Sequence, residues 1–255
     1  MKKIYLMIIA LTVLCLFGCT TDDVDNSDKN SNTINTDKKP SELEAKDIIY
    51  AYIKKLNDNK CYESTTTGYT KAKKGFISYN QEISSSIIKN NDEYYYDSYS
   101  SSTLVNLKHL AYFKDNMVRY SHNSEEIKEI TLEEYRKTYG ITPMDVSIGG
   151  YLIDESTILE ATKEQDEDNI KVVFYLDNEK ATNNMKIQMK QFGSLSDYPK
   201  FKSLKFTLLL DNKWKPISLI NETEYTITIG FLGEMDCKQN ITTTFNFDVI
   251  DFKVL

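Results

Sequence analysis

The stretch KSLKFTLLLDNKWKPISLI, residues 202–220, decides the fold. Leu204, Phe206, Leu208 and Leu210 alternate with polar or mixed neighbours. In an extended chain that spacing puts the four on one face. Asp211-Asn212-Lys213 supplies turn chemistry, and Trp214 begins a returning strand. Pro216 cannot donate a ladder hydrogen bond, so this strand end is expected at an edge or a bulge. The unit reads as an antiparallel hairpin with one buried face.

The same texture runs from about residue 64 onward. Strong β-formers are punctuated by polar clusters: KNNDE (89–93), KDN (114–116), QDEDN (165–169) and LDNK (210–213). NLKHLAYF-KDN-MVRYS, residues 106–121, predicts a second hairpin. Helices frame these strands. Ser41 and Glu44 stand at capping-box spacing, and Ile49, Tyr52, Ile53 and Leu56 follow at i, i+3, i+4, i+7. This predicts an amphipathic helix over 42–57. Thr131 and Glu134 repeat the capping-box spacing, with Gly140 placed as a stop. NEKATNNMKIQMKQFG (178–193) sets Ala181, Met185, Met189 and Phe192 on one helical face. The fold class is therefore α+β: an antiparallel sheet packed on one long N-terminal helix and one or two short ones.

The chain begins with Lys2 and Lys3 and then a greasy run, Ile4 to Phe17. As a helix that run reaches roughly 21 Å, short of a bilayer core of about 30 Å, but it suits a signal-peptide core. Leu16-Phe17-Gly18-Cys19 resembles the lipobox of bacterial lipoproteins. The resemblance implies cleavage before Cys19, with diacylglycerol and acyl chains such as palmitate attached there. The spacing of Cys15 and Cys19 is not that of a zinc or redox dyad. Residues 20–39, TTDDVDNSDKNSNTINTDKK, cannot bury enough apolar surface to fold. They read as a disordered tether with an r.m.s. reach of roughly 25 Å. The organisation is a signal peptide at 1–18, a lipidated cysteine and tether at 19–40, and a single domain at 41–255.

The formal charge is −7, and it becomes −9 once Lys2 and Lys3 leave with the signal peptide. An acidic chain repels phosphate backbones, which excludes nucleic acid as a general partner. Heavy use of Lys, Asn, Ile and Tyr is associated with low-G+C Gram-positive bacteria. There a lipid-anchored chain would sit on the outer face of the cytoplasmic membrane. Cys61 and Cys237 remain in the mature chain. Either they pair, closing a long loop worth on the order of 5 kcal/mol, or they are two small buried hydrophobes.

Catalytic signatures are absent from the sequence: no Gly-x-Ser-x-Gly elbow, phosphate loop, dinucleotide fingerprint or HExxH. His109 and His122 stand thirteen apart with no acidic or cysteine partner at ligand spacing, so they read as isolated structural histidines and not a metal site. No catalytic residue and no cofactor beyond the lipid on Cys19 is expected. DEYYYDSYSSST (92–103) is the most unusual composition. Tyr94 and Tyr96 share one strand face, with Tyr95 and Tyr99 on the other. Such rings either stack on cell-wall sugars or half-bury against the sheet. Tyr94, Tyr96 and Trp214 are the candidate ligand contacts.

The order of elements, with VVFYLDNEKATNNMKIQMKQFG, PKFKSLKFTLLLDNKWKPISL and EYTITI carrying most of the likeness, resembles the LolA-like half-barrel of bacterial lipoprotein and lipid carriers. The resemblance implies a curved antiparallel sheet wrapped around helices and an apolar cavity. It implies a non-enzymatic binding lipoprotein whose ligand is lipid-like. The alternative is a glycan- or protein-binding surface module using residues 94–99.

Overall fold

The computed structural model describes residues 38–102, 106–145, 147–154, 156–166, 168–182, 198–229 and 233–247. A turn of 3-10 helix, Pro40–Glu42, leads into α1 (Ala45–Asp58). Six strands follow in a meander: β1 (Cys61–Lys74), β2 (Ile77–Asn90), β3 (Glu93–Ser102), β4 (Asn106–Lys114), β5 (Met117–His122) and β6 (Lys128–Thr131). Next come α2 (Leu132–Tyr139) and a small hairpin, β7 (Ser147–Ile148) and β8 (Tyr151–Leu152). A second meander completes the chain: β9 (Ile158–Asp166), β10 (Asn169–Leu176), α3 (Asn178–Ala181), β11 (Lys200–Asp211), β12 (Pro216–Ile229) and β13 (Gly233–Asn246).

One open, curved antiparallel sheet of 11 strands results, in the order β6-β5-β4-β3-β2-β1-β13-β12-β11-β10-β9. This is the expected half-barrel α+β architecture. The two meanders meet at a single seam, where β1 pairs β13 from Glu63↔Asn246 to Lys73↔Asp236. Gly68 sits at that seam. A Cβ there would lie 2.3 Å from the carbonyl oxygen of Asn240 and 2.7 Å from Cα of Ile241. Only a residue without a side chain lets the strands approach so closely.

Each half of the concave face carries its own core. Under α1 lie Ile48, Ile49, Tyr52 and Ile53, packed on inward residues such as Phe174, Leu204, Phe206 and Leu208. Phe174 and Phe206 stack with centroids 5.2 Å apart. Under α2 lie Tyr94, Tyr96, Phe113, Val118, Tyr120 and Tyr135. Here register does what spacing did not show. β4 and β5 place His109 opposite His122, with the two Nδ1 atoms 3.3 Å apart. His109 Nε2 lies 2.7 Å from the Tyr135 hydroxyl. The histidines are therefore not isolated from one another. Burial, then the nearby His122, holds His109 down at about 3.

Local signals landed where backbone chemistry is short-range. Thr131 Oγ1 accepts the Glu134 amide at 3.2 Å, and the Glu134 carboxylate accepts the Thr131 amide at 2.9 Å. Gly140 ends α2 at φ +78. The turns expected at 89–93, 114–116, 165–169 and 210–213 all join paired strands. Two expectations are corrected, and a third is met in one of its two forms. The long helix begins at Ala45 with Glu44 as its N-cap, and Ser41 donates its amide to Asn212 Oδ1 at 3.1 Å. Trp214 lies in the turn, not the strand, at φ +71. Pro216 opens an interior strand beside a register shift at Leu209/Leu210, so the bulge is realised and the edge is not. Of the helix expected over 178–193, Asn178–Ala181 is formed, capped by Asp177 Oδ1; residues 183–197 lie outside the described residues.

Gly68→Val is expected to lower unfolding stability by at least about 2 kcal/mol, because the clash is with backbone. The midpoint of urea unfolding checks this. A variant as stable as the parent would show that the two strands can separate freely.

Candidate functional site

Where the two cores meet, the inward face turns polar. Reading across the strands, Ser98, Ser85, Thr66 and Thr243 stand in one row. Gln81, Thr70, Gln239 and Thr223 stand in another. Within the rows Thr66 Oγ1 bonds Thr243 Oγ1 at 2.8 Å and Gln239 Nε2 donates to Thr70 Oγ1 at 3.2 Å; Gln81 Nε2 donates to the neighbouring Ser100 Oγ, and Gln81 Oε1 is buried without a partner among the described residues. Short side chains along this seam fill less space than the rings on either side. An inner chamber of about 130 Å³ remains between the sheet, the last turns of α1 and residues 142–145 and 147–150. Tyr52, Tyr62, Tyr96, Leu219 and Phe245 form its apolar walls; Ser64, Thr66, Ser85 and Thr243 form its floor.

Asn221 also lines the chamber and is 3% exposed. Its Oδ1 accepts the Thr223 hydroxyl at 2.7 Å, while its Nδ2 is buried without a hydrogen-bond partner. Leaving a buried amide donor unmade costs about 1–3 kcal/mol, so the site has a donor in want of an acceptor. The β7–β8 turn closes over it. Gly149, at φ +55, lies so near that a Cβ would sit 2.7 Å from Phe206 Cε1 and 3.4 Å from Asn221 Nδ2.

Asp145 lines the same chamber. Its Oδ2 accepts the amide and hydroxyl of Thr142 at 2.9 and 2.7 Å, and its Oδ1 faces Arg136 Nη2 at 2.5 Å. Burial pushes this carboxyl up to about 7, outweighing the Thr142 bonds and the guanidinium, which pull the other way. The group fixes the 142–145 turn that closes the chamber.

A second, larger chamber of about 390 Å³ adjoins the first and shares Tyr52 and Leu56 with it. It opens beside the β11–β12 turn, between Trp214, Pro216 and Phe247, with Lys55, Lys213 and Lys215 around it. Trp214 Nε1 donates to the carbonyl of Lys38 at 2.9 Å, and Lys55 Nζ lies 5.4 Å from the Trp214 ring centre.

Of the candidate ligand contacts, Tyr96 lies in the inner chamber and Trp214 in the outer one. Tyr94 belongs to the core under α2. Tyr94 and Tyr96 both point inward, so of the two readings of these rings it is burial against the sheet that the structure shows; among these tyrosines it is Tyr99 that is exposed. Cys61 and Cys237 are both free. Cys61 begins β1 whereas Cys237 pairs with Ala72 near its far end, so of the two readings left open the disulfide is not formed, and of the two thiols Cys237 is the buried one. Cys19 lies outside the described residues. Asn221 and Asp145 were missed from sequence. Asn221 did leave a signal: the inward positions 219, 221, 223, 225 and 227 read Leu, Asn, Thr, Tyr, Ile, an apolar face broken by two polar residues.

Neither a family model nor a curated protein matches the chain. Solved structures with related outlines do. The ywiB protein from Bacillus subtilis is 9% identical, with 75% of this chain and 99% of that one covered at a TM-score of 0.26. A putative outer membrane lipoprotein-sorting protein domain from Vibrio parahaemolyticus is 10% identical, with 80% and 94% covered at a TM-score of 0.30. Likeness at this level carries no statement about activity.

His109 and Asp145 should tilt stability in opposite directions. Unfolded His109 binds a proton near 6.5 and the folded one only near 3, so its contribution rises with pH across that window. Folded Asp145 holds its proton up to about 7 and the unfolded one releases it near 3.8, so its contribution falls across that window. Relative to the parent, His109→Gln should gain and Asp145→Asn should lose ground as pH drops from 6.5 to 4, each by up to about 1.4 kcal/mol per pH unit. Denaturant unfolding at a series of pH values checks both signs.

Proposed function

We propose that this chain is a lipid-anchored, extracytoplasmic binding protein that holds a small amphipathic ligand in the two-chamber cleft and performs no chemistry on it. The unpaired Asn221 Nδ2, buried at the end of an aromatic-walled and hydroxyl-floored chamber, carries this reading. Cavities that take small molecules are mostly apolar with a few placed polar groups, and run about 300–1,000 Å³. The outer chamber falls in that range and the inner one is smaller. That combination suits a single apolar chain or ring leading to an acceptor-bearing group, not a bulky multi-chain lipid. Each methylene taken from water contributes about 0.8 kcal/mol. The lipid anchor on Cys19 is supported by the lipobox and the basic, greasy leader. The alternative surface module would have to use Tyr95 and Tyr99 on the outer face, because Tyr94 and Tyr96 face the interior.

Native mass spectrometry of protein extracted from membranes should show a co-purifying mass. Ser85→Leu, which fills the floor of the inner chamber, should lose that mass while melting at a similar temperature. A parent protein carrying no adduct under gentle extraction sinks the binding reading. Separately, Cys19→Ser should leave an unprocessed precursor in the cell. Normal processing of that variant removes the anchor but leaves the cleft untouched.

A further inference from the structure

The strands of the large sheet end at two rims. At one rim lie the start of β1, the β2–β3 and β4–β5 turns, and Trp214, which holds Lys38. Those two-residue turns are polar, Asn91-Asp92 and Asp115-Asn116, with Asn91, Asp115 and Asn116 at positive φ. At the other rim, β1 and β2 are joined by Gly75-Phe76. Gly75 at φ +57 meets the backbone demand of this turn. Nothing in the turn geometry asks for an aromatic at its second position. Yet Phe76 is 100% exposed, and Ile77 beside it is 42% exposed. Exposed Lys71, Lys73 and Lys74 flank the pair. The acids nearest on the neighbouring strand are Glu234 and Asp236, and Asp236 is engaged by Lys202 at 2.7 Å. Ile127 and Leu159, also exposed, lie at strand ends on this same rim.

We propose that the β1–β2 tip is a membrane-docking point that inserts Phe76 and Ile77 into the interface of a lipid bilayer. An apolar pair ringed by lysines is matched by that surface: rings enter the acyl boundary while ammonium groups stay among the headgroups. A bilayer is also in reach. β1 spans 14 residues, or about 46 Å. The chain between Cys19 and Lys38 extends to about 60 Å, enough for an anchored molecule to lay its far rim on the membrane that holds it. That last step rests on the proposed anchor; the tip's affinity for lipid does not.

The test uses the unacylated mature chain, residues 19–255 with Cys19→Ser, and two kinds of vesicle: phosphatidylcholine alone, and phosphatidylcholine mixed equally with phosphatidylglycerol. Co-sedimentation should show binding to both, tighter with phosphatidylglycerol. Phe76→Asp should weaken it at least tenfold while melting unchanged, since Phe76 is wholly exposed. Phe76→Trp should bind like the parent and show a blue-shifted emission on vesicles that the parent's Trp214 does not. No binding by the parent chain, or equal binding by Phe76→Asp, overturns the proposal. Neither outcome bears on the cleft, whose adduct is read by mass.

Discussion

Everything in this architecture hangs on the pairing of β1 with β13. Each meander could form by itself from neighbouring strands, but each would then keep one more open edge and only half a concave face. Joining the first strand to the last makes one sheet long enough to wrap two helices. It also imposes a geometric demand at Gly68, where the backbones approach too closely for any side chain. This contact has the greatest sequence separation in the sheet, so its loop-closure entropy must be offset by both cores together.

The seam explains the cleft. α1 covers one half of the sheet with aliphatic packing, and α2 covers the other half with tyrosines and a histidine. Between them neither helix lies directly over the strands. Large apolar residues there would be exposed, and unpartnered polar ones would be costly. The chain places Ser, Thr and Gln instead, and several of these bond to one another across strands. Close packing elsewhere makes the gap at this line a consequence of residue size. The inner chamber is the space left between two independently packed cores.

How much of this was legible depended on range. The 202–220 hairpin, the polar turns and the Thr131–Glu134 box are set within a few residues of chain, and sequence reads them correctly. Ser41 failed as a cap because a residue distant in sequence, Asn212, takes its amide. His109 and His122 look unrelated until strand register places them opposite one another. The alternation of Tyr94 and Tyr96 was readable, but not which face would be covered, since α2 comes 36 residues after Tyr96. Asp145 was one carboxylate among 38; only its burial sets it apart.

Trp214 ties these levels together. A bulky residue at φ +71 is a strained choice for a turn, costing of order 1 kcal/mol or more. Asp211 Oδ1 holds that turn by accepting the amides of Lys213 and Lys215 at 2.8 Å. The strained backbone turns the indole toward α1, where it forms a wall of the outer chamber, meets Lys55, and fixes Lys38. Asn or Gly would satisfy the same backbone conformation more easily. What they would lack is the ring, so the strain is retained for the contacts the ring makes. The same side chain that bounds the cleft therefore fastens the folded domain at the point where the N-terminal segment joins it.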